Sequence, residues 1–210
     1  MDLERIILVP IFTLLLITST LALFTRVSAP LGDLVGVLVL ANRLLLVAYN
    51  LLVVLLLLAR KDATAKGHLA LPRIAAYVGT FGPFLFGFAQ SSVATPELAL
   101  LGVSLQAVGM AFMMYSLATL RRSFGVAPQV RPLVRRGPYR YIRHPLYVGE
   151  LVTLTGVVLV GPSWQKVVIL AVTAAVQVYR AIHEERLMSS HDEEYARYMT
   201  TTKRFVPGVL

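Results

Sequence analysis

An all-α fold crossing a membrane about six times is what this sequence predicts, on three observations. Apolar residues make up 57% of its 210 residues and mean hydropathy is +0.71, well above soluble composition. The apolar residues gather into runs near the length of about 20 that a helix needs to cross a bilayer core of about 30 Å. The loops between runs alternate between rich and poor in Lys and Arg.

The first run, "IILVPIFTLLLITSTLALF" (Ile6 to Phe24), has little flanking charge and no small-residue cleavage pattern, so it reads as an anchor and not as a removed signal peptide. The second, "LVGVLVLANRLLLVAYNLLVVLLLLA", is interrupted by Asn42, Arg43 and Asn50, which mark either a polar path inside a bundle or an arginine that pairs or snorkels. A third run, from about Ile74 to Val93, carries "GTFGPFLFG", whose glycines and proline predict close packing or a kink. The fourth spans Leu98 to Leu120. Beyond an arginine-rich connector come "LYVGELVTLTGVVLV" and "KVVILAVTAAVQVYRAI", joined by "GPSW". Both are short, which predicts a tight hairpin of tilted or partly protein-buried helices.

Loop charges orient the chain. Arg60, Lys61, Lys66 and Arg73 follow the second run, whereas the loop near Pro96 holds only Glu97. Arg121, Arg122, Arg131, Arg135, Arg136, Arg140 and Arg143 fill the connector, and only Lys166 sits at the "GPSW" turn, where Trp164 reads as an interface anchor. Six crossings with both ends in the cytoplasm satisfy this alternation, with Arg5 in support and Arg26 slightly against. Five crossings with one interfacial segment is the alternative. From His183 the sequence turns charged, with Leu187, Tyr195 and Tyr198 at helical spacing until "VPG", predicting a cytoplasmic helix against the membrane part. Residues 1–120 then form four N-terminal spans, and residues 121–210 a catalytic part of connector, hairpin and terminal helix.

The formal charge of +9 lies in loops and forms no stripe, so no nucleic-acid site is read. With no cysteine, disulfides, thiolate metal sites and cysteine nucleophiles are excluded. "HEERL" opens like a zinc-protease helix, but Leu187 stands where the second ligand histidine belongs. His68, His183 and His191 have no ligand spacing, so no metal is expected.

The connector demands more than topology. In "RRGPYRYIRHPLYVGE", Pro138 and Pro145 each push the preceding residue out of helical geometry, and Pro145 suits a first helical position. Gly137 and Gly149 permit close approach of a backbone or a ligand, and Tyr139, Tyr141 and Tyr147 offer flat faces with polar tips. Positive charge alone would set topology. It requires neither the prolines, nor the glycines, nor His144.

"GPYRYIRHPLYVGE", followed after the hairpin by "EERL" and "EEYARYMTTTKRFVP", resembles the signature of the isoprenylcysteine carboxyl methyltransferase family, akin to the membrane-embedded phospholipid methyltransferases. The resemblance covers about Leu120 to Pro207. It implies methyl transfer from S-adenosylmethionine to a lipophilic acceptor, a small molecule or a lipid-anchored substrate arriving from the bilayer lipids, with the active site facing the cytoplasm. By that resemblance Gly137, Pro138, Tyr139, His144, Tyr147 and Gly149 line the cofactor pocket. Glu184 and Glu185 meet the cofactor's ammonium and ribose hydroxyls, and the backbone at Leu133 and Val134 meets the adenine. Tyr195, Tyr198 and Arg204 dock the tail as a lid, while Glu193 and Glu194 sit on a solvated face.

For a carboxylate acceptor, Arg143 and Arg186 are the candidates to hold it. For an amine or phenol, Glu150 or one of the paired glutamates is the candidate base. Glu150, at the start of an apolar helix, reads equally as a first-turn charge favoured by the helix dipole. Two other functions fit in outline: a membrane reductase using NADPH, whose family shares a similar "HPxYxG" string, and a non-catalytic membrane protein. The paired glutamates favour the methyltransferase. The acceptor and the oligomeric state stay open.

Overall fold

A computed structural model of the chain describes residues 3–24, 34–59, 65–66, 70–126 and 129–208. Arg26, Arg60, Lys61 and His68 lie outside the described residues, as do the side chains of Lys66 and Arg122. The described residues form seven α-helices: α1 (Leu3–Leu23), α2 (Leu34–Ala59), α3 (Ala70–Phe81), α4 (Pro96–Leu120), α5 (Pro145–Val160), α6 (Trp164–Ser189) and α7 (Glu193–Thr201). A two-residue antiparallel pair joins β1 (Ala65–Lys66) to β2 (Gln129–Val130). It ties the loop after α2 to the connector after α4, so two of the arginine-rich loops share one end of the bundle. At the opposite end, Ser92 N donates to Pro162 O (3.2 Å) and Lys166 Nζ to Ser91 Oγ (2.7 Å), joining the two charge-poor loops.

Four helices, α1, α2, α4 and α6, are long and apolar enough to cross a membrane, and α5 is a shorter apolar helix. Large apolar side chains such as Leu14, Leu21, Leu55, Val108 and Val172 are more than half exposed, the expected condition of a surface that faces lipid. The interior cluster joins Leu8 and Phe12 of α1 to Val53 and Leu57 of α2, Leu117 of α4, and Phe124 and Val126. Polar residues in these helices are tied down locally. Thr18 and Thr20 donate to carbonyls one turn back, Arg43 Nη1 to Ala22 O (2.7 Å), and Asn42 Nδ2 to Val103 O (3.2 Å). Asn50 Nδ2 meets Ser19 Oγ at 3.2 Å and so fixes α2 on α1.

Two segments depart from the sequence reading. The third apolar run is an α-helix of only 12 residues, because Gly82-Pro83 follows Phe81, and it continues as a six-residue 3₁₀ turn run, Gly82–Gly87. The helix rises about 18 Å and the 3₁₀ run about 12 Å, close to a bilayer core in sum. Of the glycines there, Gly79 makes room for Arg180, whose Nη1 would lie 2.8 Å from an added Cβ, whereas Gly82 and Gly87 have nothing within 4 Å. The second departure is α6, which runs unbroken through "HEER" to Ser189, since no Gly or Pro interrupts it. The terminal helix starts afresh at Glu193. Asp192 caps it by accepting from Glu194 N (2.8 Å) and Tyr195 N (3.3 Å), and Glu193 and Glu194 suit its positive end.

The strongest packing in the bundle is between α4 and α5, through glycines two turns apart. A Cβ on Gly156 would lie 2.4 Å from Gly102 O, and one on Gly109 would lie 2.8 Å from Gly149 O. Backbone thus meets backbone along a small-residue seam, the arrangement that serves helices in lipid where apolar burial supplies no drive. This seam holds α5 rigidly and so fixes the position of every side chain on its other faces.

Candidate active site

The connector reaches α5 in extended form and turns at Pro138-Tyr139. Gly137 adopts φ +55°, a left-handed conformation that favours glycine, and its Cα faces Thr119 and Tyr115 of α4. Pro138 O accepts from Tyr141 N (3.1 Å) and Ile142 N (3.2 Å), which closes the 3₁₀ turn Gly137–Arg140. Pro145 then starts α5 at its first position, where a missing N–H is harmless. Residues 142–144 run beside the C-terminal segment. Arg143 N donates to Lys203 O (2.8 Å) and His144 N to Arg204 O (3.1 Å).

At this junction the two separated motifs meet. His144 Nε2 lies 3.0 Å from Glu185 Oε1, and Tyr147 donates its phenol proton to Glu184 Oε1 at 2.5 Å. The rings of His144 and Tyr147 stack at 5.2 Å, with Phe205 at 5.8 Å on the histidine. The adjacent glutamates point different ways, as neighbours about 100° apart on a helix must.

Glu185 is 1% exposed and surrounded. Oε1 accepts from Arg143 Nε (2.8 Å) and Arg204 Nε (3.1 Å) besides His144, and Oε2 from Arg204 Nη2 (2.7 Å) and Arg143 Nη2 (3.3 Å). Arg143 Nη1 also donates to Met199 O (2.9 Å) and to Thr202 O. The bonds to Glu185 hold the Arg204 guanidinium even more firmly protonated than usual. This cluster clamps the C-terminal segment onto the connector.

Glu184 faces a cavity of about 610 Å³. The cavity is lined by Arg131, Leu133, Val134 and Tyr139 of the connector and Tyr195 and Tyr198 of α7, and by Phe12, Leu15, Leu46, Met110 and Leu154 of the apolar helices with Phe84 of the 3₁₀ run. Tyr147, Glu150, Arg180 and Glu184 line it as well. Burial pushes the phenols of Tyr139 and Tyr195 well above their ordinary range and that of Tyr198 to about 12, so all three stay protonated. Tyr198 uses its proton on Tyr139 O, which docks α7 on the connector. Outside, Arg135 pairs with exposed Glu194 at 3.3 Å.

Of the residues the sequence singled out, Leu133, Val134, Tyr139, His144, Tyr147, Glu150 and Glu184 line the cavity, and Arg143 touches it from the clamp. Tyr195 and Tyr198 of α7 also line it. Four others are placed outside its lining. Gly149 packs against Met113 N (2.9 Å from an added Cβ) and serves the helix seam; Gly137 and Pro138 shape the turn; and Glu185 has both oxygens occupied by Arg143, His144 and Arg204. Arg186 is exposed, away from the cavity, and Arg143 is already engaged, so neither offers an open fork for an acceptor carboxylate.

Arg180 and Gln177 escaped the sequence reading. Arg180 is 5% exposed and sits 4.9 Å over the Tyr147 ring, donates to Gln177 Oε1 (3.1 Å) and Val126 O (3.1 Å), and lies 3.8 Å from Glu184. Gln177 in turn donates from Nε2 to Glu150 Oε2. Residues 177, 180 and 184 recur at helical spacing within an apolar helix, which is the signal that marks them.

The donor set suits S-adenosylmethionine. Glu184 offers a second oxygen, Oε2, to an ammonium or to ribose hydroxyls, the tyrosines offer faces to a heterocycle, and the extended Leu133-Val134 backbone offers peptide groups to an adenine edge. Residues 97–194 match the family described as phospholipid methyltransferase. The chain is also similar to the cobalt-zinc-cadmium resistance protein CzcN of Cupriavidus metallidurans, 32% identical over 111 residues, which is 52% of this chain and 48% of that protein. It therefore spans about half the length of the curated relative it matches. The matched stretch begins in the first turn of α4 and takes in the glycine seam, the connector and the glutamate pair, so residues 97–194 carry the phospholipid methyltransferase family's pattern within an integral membrane protein.

Proposed function

We propose that this chain is an S-adenosylmethionine-dependent methyltransferase acting on a lipophilic acceptor. In this reading α3 with its 3₁₀ extension and α5 complete six crossings, both chain ends are cytoplasmic, and the connector end of the cavity opens to the cytoplasm. The gathering of the arginine-rich loops at that end supports the orientation. The observation that carries the proposal is one cavity lined both by Glu184 with the tyrosines of the connector and α7 and by apolar side chains of α1, α2 and α4.

When bound, S-adenosylmethionine supplies a methyl group on a positively charged sulfur. Glu184 binds the cofactor's ammonium or ribose, held in orientation by Tyr147 and Arg180. Tyr139, Tyr195 and Tyr198 enclose the heterocycle and exclude water. Arg143, His144, Glu185 and Arg204 are positioning residues that keep the α7 lid against the connector. Apolar residues such as Phe12, Met110 and Leu154 receive the acceptor's body from the bilayer and strip its reacting atom of water, so alignment and desolvation are the main contributions of the protein.

Detergent-purified protein incubated with methyl-labelled S-adenosylmethionine and a total membrane lipid extract tests this. The expected outcome is label in one discrete apolar product. Label recovered only as unreacted cofactor, with every lipid fraction blank, contradicts it.

A further inference from the structure

We infer that Glu150 is the acceptor-side group of this site: its Oε1 takes the proton of the atom that is methylated, and Gln177 keeps it free to do so. The inference rests on the methyltransferase reading and adds a residue role and an acceptor chemistry to it.

Glu150 lies three residues after Tyr147, on the same side of α5, and lines the cavity together with Glu184 and the apolar Met110 and Leu154. Its Oε2 accepts from Gln177, while among the described residues no donor meets Oε1. Arg180, the buried cation nearest in the row, bonds to the far side of the same amide through Gln177 Oε1 (3.1 Å). Gln177, 1% exposed, is thus an insulated spacer between a carboxylate and a guanidinium that would otherwise pair directly. A carboxylate taken from water without a bonded cation favours a ligand that brings it a proton or a positive charge. A second carboxylate at this position meets like charge instead, and Arg143 is engaged by Glu185.

The acceptor that fits has an apolar body and a nitrogen, oxygen or sulfur atom bearing a proton. Its lone pair forms the bond to the methyl carbon, the methyl–sulfur electron pair leaves with sulfur, and the proton goes to Glu150 Oε1. One positive and one negative charge disappear together, which an apolar cavity favours far more than water does.

Calorimetry on the cofactor-free protein with dodecylammonium, 4-dodecylphenol and dodecanoate reads this without turnover. The expected result is that dodecylammonium or dodecylphenol binds at least tenfold more tightly than dodecanoate, that Glu150→Gln abolishes the preference, and that Glu150→Asp keeps it. In the labelled-lipid assay Glu150→Gln should lose at least 100-fold of the transferred label while its affinity for S-adenosylmethionine stays within twofold. Dodecanoate binding as tightly as the other two, or full labelling by Glu150→Gln, overturns the inference. If the protein fails to bind S-adenosylmethionine while the dodecylammonium preference follows Glu150, the cofactor reading falls and the acceptor-side role stands.

Discussion

Two clusters of charge that take adjacent residues of α6, Glu184 and Glu185, are built on opposite plans. Around Glu185 every carboxylate lone pair is met, by two arginines and a histidine, and the carboxylate itself does not line the cavity. Along Tyr147, Glu150, Arg180 and Glu184 the groups are bonded in a row that leaves one oxygen of each glutamate without a described donor, and all four line the cavity. The first plan suits holding a fold together; the second suits the binding role proposed for it. Saturation, more than charge or burial, separates a buried carboxylate that clamps from one that binds.

Glu185→Gln breaks the contrast most severely. It removes the shared negative charge and leaves Arg143 buried without a counter-charge, a loss of about 3 kcal/mol. Thermal unfolding in detergent should show a large drop in midpoint and early release of the C-terminal segment to protease. An unchanged midpoint would mean that the cluster is not a clamp. Glu194→Gln, in the exposed pair with Arg135, sets the other extreme. It should shift stability by less than about 1 kcal/mol in the same assay, and a loss matching that of Glu185→Gln would show that exposure does not distinguish these pairs.

The motifs were legible in the chain and their division of labour was not. The prolines of the connector announced a bent entry into α5, and "EE" after the hairpin announced a second half of the site. Glu184 and Glu185, read as one ligand pair, face different surroundings as neighbours on a helix do, and which faces the cavity depends on the path of residues 202–205, remote in sequence. Gly149, read as room for a backbone or a ligand, makes room for the α4 backbone, and its partner spacing, Gly102 with Gly109 against Gly149 with Gly156, becomes visible only when the two helices are aligned. Gln177 and Arg180 did carry a signal, polar residues inside an apolar helix, but their helical spacing to Glu184 was hidden by the expectation that the helix ended near Ile182.

Titration of S-adenosylmethionine into the detergent-purified protein and its Glu184→Gln variant, followed by calorimetry with NADPH as the competing ligand, tests the central claim most directly. The account predicts that the wild type binds S-adenosylmethionine and not NADPH, and that Glu184→Gln weakens binding at least tenfold, about 1.4 kcal/mol, with its unfolding midpoint little changed. Preference for NADPH, or equal affinity in the variant, would contradict it.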